Sequence, residues 1–80
     1  MDDELAKHIV VTGFRSASAL QELIPLLKEH CDITEYEKYL KAISAVSAEI
    51  SIQILNPLFN DYPHLKNDVE QKIDKYGKFI

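Results

Sequence analysis

Three consecutive residues, His30, Cys31 and Asp32, carry side chains that can bind zinc. Neighbouring residues on a helix point about 100° apart, so these three side chains cannot all reach the same ion. His64 and Asp68 are four residues apart and can share one helix face, but the sequence offers them no third ligand. We therefore predict no metal site and no cofactor.

Side chains for covalent and acid–base catalysis are present, but without the spacing that such chemistry needs. Cys31, the only cysteine, lies on a predicted apolar helix stripe, where a cysteine is usually a small core residue. No serine occupies a Gly-x-Ser-x-Gly turn, which exposes the nucleophile in many hydrolases. Glu35 and Glu37 fall on different faces of a predicted helix and cannot form a carboxylate pair. We predict that the protein is not an enzyme, and we assign no catalytic residue.

Length and composition restrict the class of protein further. The 80 residues predict a single domain over residues 1–80, which on folding buries about 60% of the surface of the unfolded chain. The longest aliphatic run, residues 9–11, is far shorter than the roughly 20 apolar residues of a membrane span. The acidic start MDDE is unlike a secretory signal, and a single cysteine cannot form an internal disulfide. These features predict a soluble cytoplasmic protein with no membrane association.

Charge is unevenly distributed along the chain, whose net charge is −4. Residues 1–37 carry eight acidic and three basic side chains, whereas residues 38–80 carry five acidic and six basic ones. Nucleic acid would be repelled by the first half, because binding to its backbone needs a concentrated positive face. An acidic face suits a basic protein partner instead. The candidate residues for such a face are Glu29, Asp32, Glu35 and Glu37.

The segment KHIVVTGFRSASALQELI, residues 7–24, can be interpreted in two ways. Residues 8–14 are rich in β-branched residues and precede a helical pattern, which resembles the first strand and helix of nucleotide-binding folds and of BRCT repeats. A dinucleotide site needs glycines at G-x-G-x-x-G spacing, but Gly13 is followed by no further glycine until Gly77. We therefore predict an all-α fold, with an α/β fold containing a strand at 8–14 as the alternative.

In the all-α interpretation the first half of the chain contains two helices. The first runs from about Asp3 to Thr12, and Gly13 ends or bends it. The second begins at Ser16 or Ser18 and is kinked by Pro25.

The third helix is predicted to begin at Thr34, because a threonine followed three residues later by a glutamate forms a capping box. Asn56 and Pro57 end this helix and start a short helical turn. Along the third helix, the residues of the apolar face recur every three or four positions. The residues on that face are Tyr36, Leu40, Ile43, Ser47, Ile50 and Ile54.

A fourth main helix begins after a new start signal at Asp61-Tyr62-Pro63 and ends at Gly77, which suits the left-handed C′ position. Its apolar face contains Leu65, Val69, Ile73 and Tyr76. The predicted architecture is thus a small bundle of four main helices with one short helical turn.

Two features predict binding rather than catalysis. Small residues on the third helix allow another helix to approach closely, and several C-terminal aromatic residues exceed what a core of this size can bury. We expect a non-enzymatic helical interaction module that forms a homodimer, and the alternative is an acidic inhibitor or immunity-like protein that binds a basic protein. The interface candidates are Ser47, Ile50, Ser51, Ile54, Phe59, Tyr62, Tyr76 and Phe79.

Overall fold

A computed structural model of the protein describes residues 1–77, in which five α-helices and one π-helical turn form three helical arms and no strand occurs. The all-α prediction is confirmed, and the alternative strand at 8–14 is wrong because these residues are helical. Arm 1 contains α1 and α2, arm 2 contains α3, a π-helical turn and α4, and arm 3 is α5. The elements are α1 (Asp3–Gln21), α2 (Leu23–His30), α3 (Ile33–Ile50), the π-helical turn (Ser51–Leu55), α4 (Asn56–Asp61) and α5 (Pro63–Tyr76).

Arm 1 is a single rod with one interruption. Asp2 caps its start by accepting a hydrogen bond from the Leu5 amide at 2.8 Å. The predicted end at Gly13 is wrong, since α1 continues to Gln21, and Ser16 and Ser18 lie inside it rather than starting a new helix. Helix propensity alone disfavours glycine here by about 1 kcal/mol, and this cost is outweighed by packing along arm 1.

The interruption in arm 1 falls at Glu22, between α1 and α2. Pro25 explains its position, because a proline has no amide hydrogen and its ring crowds the carbonyl four residues earlier, which belongs to Gln21. The predicted disturbance by Pro25 therefore occurs, one turn before the proline itself.

A tight reversal at Cys31 and Asp32 connects arm 1 to arm 2. Cys31 is extended, and the Asp32 side chain accepts a hydrogen bond from the Glu35 amide at 2.8 Å. The helix consequently begins at Ile33, and the predicted start with Thr34 as the cap is wrong. An aspartate one turn before a glutamate offers the same capping chemistry two residues earlier.

Arm 2 is helical from Ile33 to Asp61, so the predicted end at Asn56 and Pro57 is wrong. The inward-facing side chains are spaced by four or three residues up to Ile50, but the next buried residue, Leu55, comes five residues later. A π-helical turn holds one residue more than an α-helical turn and absorbs this irregular step. Ile54, predicted on the inward face, is 43% exposed, whereas Leu55 is 4% exposed.

Pro57 gives a second reason for the π-helical turn. It cannot donate a hydrogen bond to the Gln53 carbonyl, and its ring would crowd that carbonyl in a regular α-helix. The wider turn directly before Pro57 relieves this crowding, so arm 2 continues without a break.

The start and the end of arm 3 agree with the prediction. α5 begins with Pro63 in its first turn and is followed by Gly77 in the left-handed conformation, with a φ of 74°, whose amide donates to the Ile73 carbonyl. Leu65 and Val69 are buried as predicted, whereas Ile73 and Tyr76 remain about half exposed.

The core lies at one end of the molecule. Its central cluster joins arm 1, arm 2 and arm 3 through Ala6, Val10, Leu58, Leu65 and Val69. No residue from position 14 to 42 is buried. The three arms form a slab of 45 × 26 × 15 Å with a radius of gyration of 14.8 Å, compared with about 12 Å for a compact chain of this length.

Candidate protein-interaction surface

The hairpin of arms 1 and 2 has one covered side and one open side. Arm 3 covers one side near the beginning of arm 1, where Leu65 and Val69 join Ala6 and Val10 in the core cluster. The opposite side contains a groove of about 310 Å³ between the two arms. This groove is lined by His8, Ile9, Thr12, Gly13, Ser16, Ile50 and Ile54.

Arm 1 contains two parallel stripes with the same alternating spacing of four and three residues. The first stripe faces arm 2, and all of its members are buried or half-buried: Ala6, Val10, Gly13, Ala17, Leu20, Ile24, Leu27 and Cys31. The second stripe lies one position earlier and contains Leu5, Ile9, Thr12, Ser16, Ala19, Leu23 and Leu26. We call it the uncharged stripe, because none of its seven residues is ionisable.

The uncharged stripe lies on the open side of the hairpin. Ile9, Thr12 and Ser16 line the groove, and a spacing of four and three residues keeps the other members on the same side of the helix. Leu5, Leu23 and Leu26 are about half exposed. Arm 1 thus carries one stripe that faces arm 2 and a second, largely exposed stripe on the open side.

Arm 2 extends the open side with further apolar residues. Tyr39 and Val46 precede Ile50 by eleven and four residues, which places all three on one side of α3. Tyr39 and Val46 are about half exposed, as is Ile54 beyond the π-helical turn. The open face, defined as the uncharged stripe together with Tyr39, Val46, Ile50 and Ile54, therefore runs along both arms.

The interface candidates predicted from the sequence lie in different parts of the structure and do not form one surface. Phe59 and Tyr62 pack against the core cluster, and the Tyr62 hydroxyl donates a hydrogen bond to the Met1 carbonyl. Ser47 is half-buried, and its hydroxyl oxygen is enclosed without a hydrogen-bond partner among residues 1–77. Ser51 and Tyr76 are exposed, while Phe79 lies outside the described residues. Only Ile50 and Ile54 belong to the open face.

The four acidic candidates, Glu29, Asp32, Glu35 and Glu37, are exposed around the reversal between arms 1 and 2. Asp32 is occupied as the cap of α3, and the hydrogen bond from the Glu35 backbone holds the pKa of its carboxyl below the ordinary value. These residues share one end of the molecule, far from the core cluster.

The potentially reactive residues do not converge. His64 Nε2 lies 2.7 Å from Asp3 Oδ2, so the nearest carboxylate comes from arm 1 and not from Asp68. Cys31 is a free thiol, half-buried at the reversal. Within residues 1–77, no three histidine, cysteine, aspartate or glutamate side chains lie close enough together to hold one metal ion.

Arm 2 also has the length and composition of a membrane-crossing helix. The helix Ile33–Asp61 has 29 residues, and its most apolar window has a mean hydropathy of 1.3 with 17% of its residues buried. Between Lys41 and Asp61 its only charged residue is Glu49. Length and composition do not distinguish a membrane span from a helix that packs against protein on several sides.

The uncharged stripe is absent from the predicted helices, because a first helix that ends at Gly13 divides it. A stripe that crosses Gly13 becomes visible only when Leu5 and Ile9 are placed on the same helix as Leu23 and Leu26. The unbroken spacing of four and three residues was the signal that could have identified it.

Neither a protein family, nor a curated protein, nor a solved structure matches this chain.

Proposed function

We propose that the protein is a non-enzymatic helical interaction module that forms a homodimer through its open face. The observation that carries this proposal is the uncharged stripe, a surface with heptad spacing whose members other than the half-buried Ile9 are all exposed. Apolar residues at this spacing are typical of helices that pack against another helix.

The dimensions of the molecule and the exposed side chains of the open face support this proposal. Soluble monomers rarely expose apolar patches larger than a few hundred Å². The broad side of the slab measures 45 × 26 Å. It is therefore large enough to supply the roughly 800 Å² of surface that each partner of a stable dimer buries. A second slab placed on this side would cover the apolar side chains of both copies and would double the thickness of 15 Å.

The proposal places the protein in the cytoplasm with a protein partner, and with neither nucleic acid nor a membrane as its target. The single cysteine suits a reducing compartment, and the net charge of −4 disfavours binding to nucleic acid.

The mass in solution tests the proposal directly. Light scattering behind a sizing column, from low to high micromolar concentration, should give twice the chain mass of 9.2 kDa. A mass of 9.2 kDa throughout would overturn the homodimer. Flotation of such a monomer with phospholipid vesicles would then assign the apolar surface to a membrane.

A second candidate function is that of an acidic inhibitor of a basic protein. The observation that favours it is the exposure of Glu29, Glu35 and Glu37 at the end of the molecule opposite the core. Association would then slow steeply as salt is added, because charge steers the encounter. Replacing Glu35 and Glu37 by glutamine should weaken capture of the basic partner and leave the homodimer mass unchanged, since both lie on α3 outside the open face.

A further inference from the structure

We infer that the second copy packs antiparallel on the open face, with arm 1 against arm 1, so that Arg15 of each copy lies beside Glu22 of the other. This inference rests on the proposed homodimer and adds its orientation, its register and the residues that specify both.

The order of large and small residues along the uncharged stripe favours an antiparallel contact. Large apolar residues lie at its two ends, Leu5 and Ile9 at one and Leu23 and Leu26 at the other. The middle is formed by three small residues: Thr12, Ser16 and Ala19. The stripe is therefore nearly symmetric about its centre.

This symmetry makes the stripe complementary to itself when a second copy runs in the opposite direction. A twofold dimer interface must use the same patch on both copies. In the antiparallel register Ile9 lies opposite Leu26 of the second copy, Thr12 lies opposite Leu23, and Ser16 lies opposite Ala19, while Leu5 extends past the last pair. Each Leu23 then fills the space beside the smaller Thr12, and the small centre lets the two helices approach.

The order of charges beside the stripe favours the same antiparallel register. His8, Arg15, Glu22 and Glu29 follow one another at intervals of seven residues and form its outer edge, away from arm 2. In the same antiparallel register Arg15 lies beside Glu22 of the second copy, and His8 lies beside Glu29. A parallel pair would instead bring Arg15 to the level of Arg15 and Glu22 to the level of Glu22, which is repulsive.

Arg15 and Glu22 have no charged partner that would compete for them in the part of the chain that the structure describes. Both are exposed, and neither forms an ion pair within residues 1–77. They are seven residues apart, about 10 Å along one helix, so they do not pair with each other in the same copy. The residues three and four positions from each of them are uncharged.

The same twofold axis stacks arm 2 on arm 2 of the second copy. Tyr39 and Val46 lie on this side of α3 and become buried. Arm 3 is on the opposite side of the hairpin and does not obstruct the contact. The product is a four-helix bundle of two hairpins, with one α5 on each outer side.

Complementary charge reversal tests this arrangement. Arg15→Glu and Glu22→Arg each create like-charge contacts at two symmetric places, and we expect each pure variant to dimerise about tenfold more weakly than the parent chain. A mixture of the two variants restores both attractive contacts in the heterodimer, as does the double variant Arg15→Glu/Glu22→Arg in its homodimer. Lys66→Glu, an exposed charge reversal on α5, is the matched control and should dimerise like the parent chain.

Sedimentation and native mass spectrometry of parent, single, mixed and double variants give the outcomes, with circular dichroism showing that each variant is helical. Preferred heterodimers in the mixture, with recovery in the double variant, support the antiparallel register. A parent dimer with unchanged single variants, or with no recovery, overturns this register while the homodimer stands. A monomeric parent chain overturns the proposed function itself.

Discussion

A methyl group added to Gly13 would lie 2.9 Å from Leu55 Cδ2, so the contact between these two residues sets how closely arms 1 and 2 approach. Such a distance is shorter than ordinary van der Waals contact, and Leu55 is itself buried. Glycine is present here because of this close approach, since it is an ordinary residue of α1 without a positive φ.

Substitution at Gly13 should show two opposing effects. In Gly13→Ala, the better helix propensity of alanine contributes about 1 kcal/mol, which offsets the cost of displacing the end of the Leu55 side chain. We expect the free energy of unfolding to change by less than about 1 kcal/mol. Gly13→Ile adds more atoms than this displacement accommodates and should cost about 2–3 kcal/mol. Urea denaturation measures both, and an isoleucine variant as stable as the parent would contradict the close contact.

The π-helical turn in arm 2 predicts a tolerated deletion. Removing Gln53 shortens the step from Ile50 to Leu55 to four residues, and Pro57→Ala in the same variant removes the proline that a regular helix would not accept. We expect this variant to unfold within about 1 kcal/mol of the parent chain.

Deletion of Ala45, also combined with Pro57→Ala, is the matched control for the Gln53 deletion. It rotates Ile43 and the residues before it relative to Ser47 and those after it, so it should cost more than about 3 kcal/mol. Equal stability of the two deletion variants would show that the π-helical turn does not set the register of arm 2.

The Asp32 cap predicts a dependence of stability on pH. Its folded pKa lies below the ordinary value, so the unfolded chain binds the proton more readily, and the charged cap stabilises the folded state fully above the ordinary pKa. This stabilisation is lost as the pH falls through the folded pKa, in the range below about pH 4.

The melting temperature of two variants separates the charge of Asp32 from its capping hydrogen bond. Asp32→Asn keeps an acceptor for the Glu35 amide, so its melting temperature should be below that of the parent at neutral pH and should approach it in acid. Asp32→Ala should melt lower than Asp32→Asn at neutral pH. An offset between parent and Asp32→Asn that persists unchanged into acid would argue against the charged cap.

A pair of glutamate substitutions locates the dimer contact. Leu23 is 45% exposed on the uncharged stripe, and Ile52 is 54% exposed on the π-helical turn, outside the open face. Leu23→Glu should weaken the dimer at least about hundredfold, since each dimer loses two buried leucines and buries two charges. Ile52→Glu should leave the dimer intact. Light scattering measures both masses, and the reverse pattern would move the contact to the outer surface of arm 2.

The elements that were predicted correctly are those whose local chemistry allows one outcome. Pro63 cannot continue the preceding helix, and Gly77 readily adopts the left-handed conformation that ends α5. Leu65 and Val69 share one helix turn, and both are buried. These positions need no knowledge of the rest of the fold.

The errors arise where a tertiary contact outweighs a local preference. Gly13 disfavours a helix by itself, but it lies inside α1, where Leu55 packs closely against it. Asn56 and Pro57 are typical of a helix start, but the π-helical turn before them keeps arm 2 continuous. Three arms therefore replace the predicted four helices and short turn, and the uncharged stripe is seen only along the longer first arm.

The uneven distribution of the core has a consequence for the dynamics of backbone amides. Hydrogen exchange requires local opening, and its free energy rises with the number of buried contacts that opening breaks. Amides around Val10, Leu58 and Val69 should therefore exchange slowly, whereas those of α2, which has no buried residue, should exchange fastest among the helices of arms 1 and 2. Because the open face extends along α2, self-association should slow exchange there more than anywhere in arm 3. Exchange rates at two protein concentrations would thus report which end of the molecule depends on its partner for order.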